Sequence, residues 1–437
     1  MKTPICDYVN QYADSDALRL HMPGHKGQGS MARLDITEIP GADSLYEADG
    51  IIRESEENAS RLFGCPTFYS TEGSSQCIRA MVHMAMLHGK AQGKKPRIAA
   101  GRNAHKTFLS AVALLDAEVV WLYGSQQEGY LSCDLTADVL EAAFAREPLT
   151  AVYITSPDYL GNVADIAPLA QVCHRHGALL LVDNAHGAYL RFLEPSRHPM
   201  DLGADLCCDS AHKTLPVLTG GAYLHTTAQL AEEAKDALAL FGSTSPSYLI
   251  LQSLDACNRY LAQGYREKLQ GFVPAVAGLK ARLAENGFCL YGSEPLKLTL
   301  QTKSYGYRGT ELAAELEKAG IVCEFADPDH LVLMLTPEVG CQGLARLERV
   351  LLAVPRREPV AEKPPVFHGC APELSVRAAM LSPKRGVPVG EAVGHILASP
   401  SVGCPPAVPI VICGERIDEE AVQAFRYYGI SHCNIVK

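Results

Sequence analysis

Between about residue 60 and residue 225, short apolar runs of strand length alternate with longer stretches of helical character. The runs are "PRIAA" near 98, "EVVWLY" near 120, "TAVYIT" near 152, "ALLLVDN" near 181, "ADLCC" near 206 and "GAYLHT" near 223. Strands separated by helices cannot pair as hairpins, so this alternation predicts an α/β domain with a mostly parallel central sheet. In open sheets of that kind ligands bind at the carboxyl ends of the strands, and the loops after these runs are where chemistry is expected. A long helical stretch from about 228 to 285 leads the chain out of the domain. The segments "KLTLQTKS", "CEFADPDHLVLMLT" and "GLARLERVLLAV" then suggest a smaller α/β unit. A proline-rich, charged segment, "VPRREPVAEKPP", breaks the pattern as a linker does. The expected division is 1–255 for an N-terminal segment and large domain, 256–354 for a small α/β domain, 355–365 for the linker and 366–437 for a C-terminal α/β region.

Composition narrows the partners. The net charge is −10 and lysine and arginine form no run, which argues against nucleic acid and against anionic membranes and leaves small metabolites. The first residues hold no apolar core of a signal peptide, and nowhere do ~18 apolar residues run uninterrupted, so a cytoplasmic protein is expected. The 15 cysteines are odd in number, show no C-x-x-C spacing and fall largely inside apolar runs. They read as buried reduced thiols rather than as a disulfide framework or a metal site.

Four strand-end loops carry candidate chemistry. In "DSAHKTLPVLTGGAYLH", Lys213 stands between a buried-strand pattern and an apolar turn, and an unpaired ammonium there is costly. Condensing the amine with an aldehyde removes the charge, as in lysines that carry pyridoxal 5'-phosphate (PLP). In "STEGSSQCIRAMVHMAML", Gly73, Ser74 and Ser75 precede an amphipathic helix, a pattern that suits a phosphate site and equally suits a plain N-cap turn. "LLLVDNAHGAYL" ends a buried strand in Asp183, an acid that needs a cationic partner, such as a pyridinium nitrogen, or hydrogen-bond donors. His105, in "GRNAHKTFLSA", follows another strand and would suit stacking on a planar ring, although a solvated loop histidine fits as well. Nucleotide-binding glycine patterns are not met, because "GHKGQG" has the wrong spacing.

With these residues in view, the chain resembles the PLP-dependent Orn/Lys/Arg decarboxylase family. The resemblance is carried in order by "LHMPGHKG", "DITEIPGADSLYEADGII", "FGCPTFYSTEGSSQ", "HKTF", "TSPDYLGNVADI", "VDNAHGA", "DSAHKTLPVLTGGAYLH" and "STSPSYLILQSLD". It implies an α/β, fold-type I (aspartate aminotransferase-like) architecture of the short group without an N-terminal receiver-like domain. It implies the cofactor on Lys213, with His212 beside it touching the cofactor or the substrate carboxylate. Asp183 would hold the pyridine nitrogen, His186 would lie near it and His105 would stack on the ring. Ser74, Ser75 and Ser210 would take the phosphate, and Ser243, Thr244 and Ser245 would approach it from a second subunit of a homodimer. The implied reaction is loss of carbon dioxide from an α-amino acid, basic or less basic. Another PLP reaction and a non-catalytic PLP-binding paralogue remain alternatives.

Departures from the family pattern cluster at the C-terminal end. Asn184 stands where the family often has an acid. In "VGHILASPSVGCPPAVP", His395 replaces an arginine, Ser399 a glutamate, Cys404 a tyrosine and Ala407 a glycine. The resemblance makes these substrate-end positions, so the substrate region (Ser399, Cys404) is expected to differ while the cofactor half is kept. Glu391 and Glu415 are the nearby acids in sequence.

Overall fold

The computed structural model describes residues 1–124, 129–366, 369–400 and 406–437. Seven strands form the main sheet: β1 (Thr67–Ser70), β2 (Arg97–Gly101), β3 (Glu118–Leu122), β4 (Ala151–Thr155), β5 (Leu179–Asp183), β6 (Leu206–Asp209) and β7 (Ala222–Thr226). Their order is β1-β7-β6-β5-β4-β2-β3. β5 and β6 are parallel, as are β2 and β3, whereas β7 runs against both of its neighbours. Six of the seven strands coincide with the apolar runs. β1 does not, because "TFYS" is short and half polar.

The chain divides into two compact units. The first comprises Met1–Pro96, Thr150–Tyr153 and Ile166–Leu269. All five residues of β5 and all four of β6 are buried, as expected of strands covered on both faces. The helix Ile51–Phe63 stops at Gly64, whose φ of +77° closes the last turn with an amide bond to Ser60 O. The stretch 228–285, expected as one helical run, is broken. It comprises Ala228–Glu233, Ala234–Ala239, Tyr248–Ala262 and Tyr265–Glu285. The interruption at 240–247 contains Gly242 and Pro246, and the Ser247 hydroxyl restarts the helix by accepting from the Ile250 amide at 3.4 Å.

The second unit comprises Arg97–Leu149, Ile154–Asp165 and Gln270–Lys437. It holds an antiparallel sheet of β8 (Cys289–Tyr291), β9 (Lys297–Gln301), β10 (Phe325–Ala326) and β11 (His330–Met334), in the order β10-β11-β9-β8. β12 (Lys384–Pro388) pairs antiparallel with β13 (His432–Val436) and packs with the helix Glu419–Tyr427 around Phe425, Ile435 and Val387. Within this unit the Arg102 guanidinium reaches Pro409 O at 3.0 Å, Ile410 O at 2.7 Å and Glu415 Oε2 at 3.3 Å. The C-terminal region is thereby fastened to the loop after β2. All described cysteines are free thiols. Among the described residues no helix is long and apolar enough to cross a membrane.

Candidate active site

Adjacent parallel strands bring two of the candidates together. β5 and β6 are in register through Asp183 opposite Cys208, so Asp183 and the turn Ser210–Lys213 leave the sheet side by side. This is the arrangement that a thirty-residue spacing predicts for neighbouring strands. Asp183 is buried, and three donors meet its carboxylate. Tyr153 Oη donates to Oδ2 at 2.9 Å, and the Ala185 amide (3.2 Å) and Cys208 Sγ (3.6 Å) donate to Oδ1. A carboxylate has about four acceptor positions, which leaves one for a further N–H.

Lys213 lies in the short helical turn Ala211–Thr214, and its Nζ is 3.0 Å from His186 Nε2. His212 Nδ1 is 2.9 Å from Gly221 O. A carbonyl only accepts, so Nδ1 carries the proton and the lone pair is on Nε2. Burial, aided by the neighbouring Lys213 charge, lowers the His212 pKa, and the Gly221 bond only partly opposes this. The ring is therefore neutral around pH 7.

The phosphate candidates converge as well. Gly73 adopts φ +70° immediately before the helix Ser74–Ala91, and a Cβ there would stand 3.9 Å from the Ser75 amide nitrogen and meet nothing else within 4 Å. An open cradle over a helix N-terminus suits an anion. Ser210 Oγ donates to Ser74 Oγ at 2.8 Å, so β6 and this helix present their hydroxyls together. The Ser243 amide donates to Glu72 Oε1 of the same chain at 2.5 Å, and the Ser245 amide to Ser243 Oγ at 3.1 Å. The segment 243–245, which includes Thr244, thus reaches Glu72, next to the turn, within one protomer. The open cradle, the remaining acceptor position on Asp183 and the amine of Lys213 suit the phosphate, ring nitrogen and aldehyde of PLP.

His105 belongs to the second unit, where it caps the helix Lys106–Leu115. Its Nδ1 accepts from the Thr107 amide at 3.2 Å. Ser399 accepts from Asn434 Nδ2 at 3.0 Å. Cys404 lies outside the described residues. Ala407 holds the left-handed conformation at φ +58°, where the family's glycine is the natural occupant, and its carbonyl accepts from the Lys106 amide at 2.8 Å.

Two features escaped the sequence reading. Tyr153, in "TAVYIT", reads as an ordinary core tyrosine. Asp209, directly before Ser210, is fully buried and gathers donors from Asn184, His198 and His225.

The sheet order and the strand-end lysine and aspartate define a fold-type I enzyme. Residues 3–291 match the family described as Orn/Lys/Arg decarboxylase, major domain, and the chain belongs to that family of decarboxylases, which are lyases. Among curated relatives, an uncharacterised Bacillus subtilis protein, YaaO, is 29% identical over 97% of this chain and 93% of its own length. An arginine decarboxylase of the same species is 27% identical over 96% and 92%. Among solved structures, the Francisella novicida lysine decarboxylase LdcF superimposes with a TM-score of 0.82 at 16% identity, covering all of this chain and 81% of that one. The E. coli constitutive lysine decarboxylase gives 0.78 at 17%, covering all of this chain and 82% of that one.

Proposed function

We propose that this chain is a PLP-dependent decarboxylase of a basic amino acid (arginine, lysine or ornithine) or of a less basic relative, working as a homodimer. The observation that carries this reading is the placement of Asp183 and Lys213 at the ends of neighbouring parallel strands, beside the hydroxyl pair Ser74 and Ser210. The names of the relatives support a basic substrate. The replacement of a family glutamate by Ser399 supports a less basic one.

When bound, the cofactor supplies an aldehyde for the lysine amine and an electron-withdrawing ring that accepts the electron pair left by departing carbon dioxide. The chain's own residues do the rest. Asp183, oriented by three donors, would hold a proton on the ring nitrogen. His186, 3.0 Å from the Lys213 amine, can take the ammonium proton, so that a nucleophilic amine is available. The amides at the head of the helix Ser74–Ala91 and the hydroxyls of Ser74, Ser75 and Ser210 would hold the phosphate. His212 presents a neutral Nε2, suited to accepting a proton or a hydrogen bond from the substrate. Ser243, Thr244 and Ser245 would add donors to the phosphate of the opposite subunit.

The test is borohydride reduction of the PLP-reconstituted protein followed by peptide mapping, with carbon dioxide and amine measured over a panel of amino acids. The label is expected on Lys213, with equimolar carbon dioxide and amine. A label elsewhere, or a keto acid in place of carbon dioxide, would remove the assignment.

A further inference from the structure

We infer that Asp209 is a positioning residue which, through Asn184, fixes the separation between the Asp183 carboxylate and the turn Ser210–Lys213. The inference rests on the reading that PLP spans those two groups.

Asp209 ends β6 and is completely buried. Its carboxylate is met by four donors. Asn184 Nδ2 (2.6 Å) and Cys207 Sγ (3.7 Å) are on Oδ1, and His198 Nε2 and His225 Nε2, both at 3.1 Å, are on Oδ2. The His198 tautomer is itself fixed. His198 Nδ1 accepts from the Met200 amide at 3.4 Å, so its Nε2 carries the proton, and His225 Nδ1 lies 2.9 Å from Thr67 Oγ1. Burial would raise the Asp209 pKa, but the two imidazoles outweigh it and hold the carboxyl well below the ordinary range. Asp209 is a buried carboxyl group enclosed by these partners.

A carboxyl so deeply buried is not needed to fill space. Apolar side chains of similar volume often stabilise such a site as well or better, so stability alone does not account for a carboxyl group here. What this group joins points to its role. Regular pairing of β5 and β6 ends at Asp183 opposite Cys208, where the Asn184 amide still bonds Cys208 O at 3.0 Å. One residue further, the Asn184–Asp209 bond ties the two exits together. Asp183 precedes one partner and Ser210 follows the other. The ring nitrogen and the phosphate belong to one molecule, joined through the ring and a short methylene ester arm, so the two contacts reinforce each other only within the range of separations that arm can span.

His198, Cys207 and Asp209 also form a donor set that a metal ion would accept, with ligand atoms within 4.8 Å of one another. The hydrogen bonds above use the Asp209 oxygens and the facing donors, so no metal is required.

The experiment compares PLP with pyridoxal, which lacks the phosphate, as titrants of the wild-type protein, Asp209→Asn and Asn184→Ala. Asp209→Asn keeps the volume but turns an amide donor toward another donor. Asn184→Ala leaves the imidazole pairs intact and so tests the link even if the first variant does not fold. The Kd for PLP should rise roughly tenfold or more while that for pyridoxal changes by less than about threefold, so the advantage conferred by the phosphate shrinks. Equal weakening of both titrants, or no change in either, would overturn the inference. So would a stoichiometric metal ion in the purified protein. Wild-type protein that binds neither titrant would instead sink the underlying cofactor reading.

Discussion

Tyr153 on β4 and Asp183 on β5 are joined by a 2.9 Å hydrogen bond in which the phenol donates to Oδ2. A hydrogen bond to a charged group contributes ~1.5–3 kcal/mol. This one also directs the acid, because with Ala185 and Cys208 on Oδ1 the remaining acceptor position is defined. The proposed ring-nitrogen role of Asp183 therefore depends on a residue thirty positions earlier.

Two substitutions separate charge from orientation. Asp183→Asn keeps the shape and loses the charge, so turnover should collapse while PLP stays bound through the Ser74, Ser75 and Ser210 contacts. Tyr153→Phe leaves the acid with two donors, and turnover should fall by roughly tenfold, in keeping with the loss of one charge-assisted bond. Parallel measurements of kcat and of cofactor absorbance check the ranking. Near-normal turnover in Asp183→Asn would contradict the assigned role.

His212 gives the pH prediction. Its folded-state pKa is lowered, chiefly by burial and then by Lys213, from the ordinary value of about 6.5. In the window between that depressed value and about 6.5, the unfolded chain binds more protons than the folded one. Stability from this group is therefore complete above about 6.5 and is lost as the pH falls through the window. Activity that uses the neutral ring should likewise persist somewhat below pH 6.5. A kcat/KM profile for the wild type and for His212→Asn, whose amide can still donate to Gly221 O, should show the acidic limb shifted or abolished in the variant. An identical limb in both would assign it to another group.

Lys213 was singled out by the apolar runs around it, although it is only half-buried, and Asp183 was legible because it ends such a run, so burial of its charge followed from adjacent residues alone. Tyr153 was not, since a tyrosine in an apolar strand has many uses and nothing local shows what its hydroxyl meets. Asp209 lay between the two cases. It ends an apolar run, "LCCD", as Asp183 does, but its partners His198 and His225 are 11 and 16 residues away and join it only through the fold of the first unit. The break at Gly242 and Pro246 was visible as turn chemistry, yet the segment was weighed for phosphate contacts rather than for its effect on the helix. The antiparallel pairing of β12 with β13 rests on contacts between residues about fifty apart, which no local pattern announces.

Arg102 and Glu415 form a buried pair in the second unit. Burial pushes the Glu415 carboxyl up and Arg102 opposes it. Arg102→Met would leave that carboxyl buried without its cation, at a cost of about 3–5 kcal/mol, whereas the double change with Glu415→Met should recover most of the loss. Denaturant unfolding of the single and double variants measures this. A single variant as stable as the wild type would show that the carbonyls of Pro409 and Ile410, not the ion pair, are what Arg102 serves.

Substrate preference is the last expectation, and it turns on Ser399. A distal cation in a partly dry cleft needs a carboxylate or several carbonyls to replace its water. The resemblance places a glutamate where Ser399 stands, and here the Ser399 hydroxyl accepts from Asn434 Nδ2. Neither neighbouring acid is a ready substitute, because Glu415 is held by Arg102 and the Ile412 amide while Glu391 is exposed. The wild type should therefore be weak on arginine, lysine and ornithine relative to less basic amino acids. Ser399→Glu should raise kcat/KM on the basic ones by roughly ten- to more than a hundredfold, the equivalent of one charge-assisted contact. Steady-state kinetics of both proteins across basic and neutral amino acids decide it. Efficient wild-type turnover of a basic substrate, unchanged by the substitution, would mean that the distal cation is recognised elsewhere in the cleft.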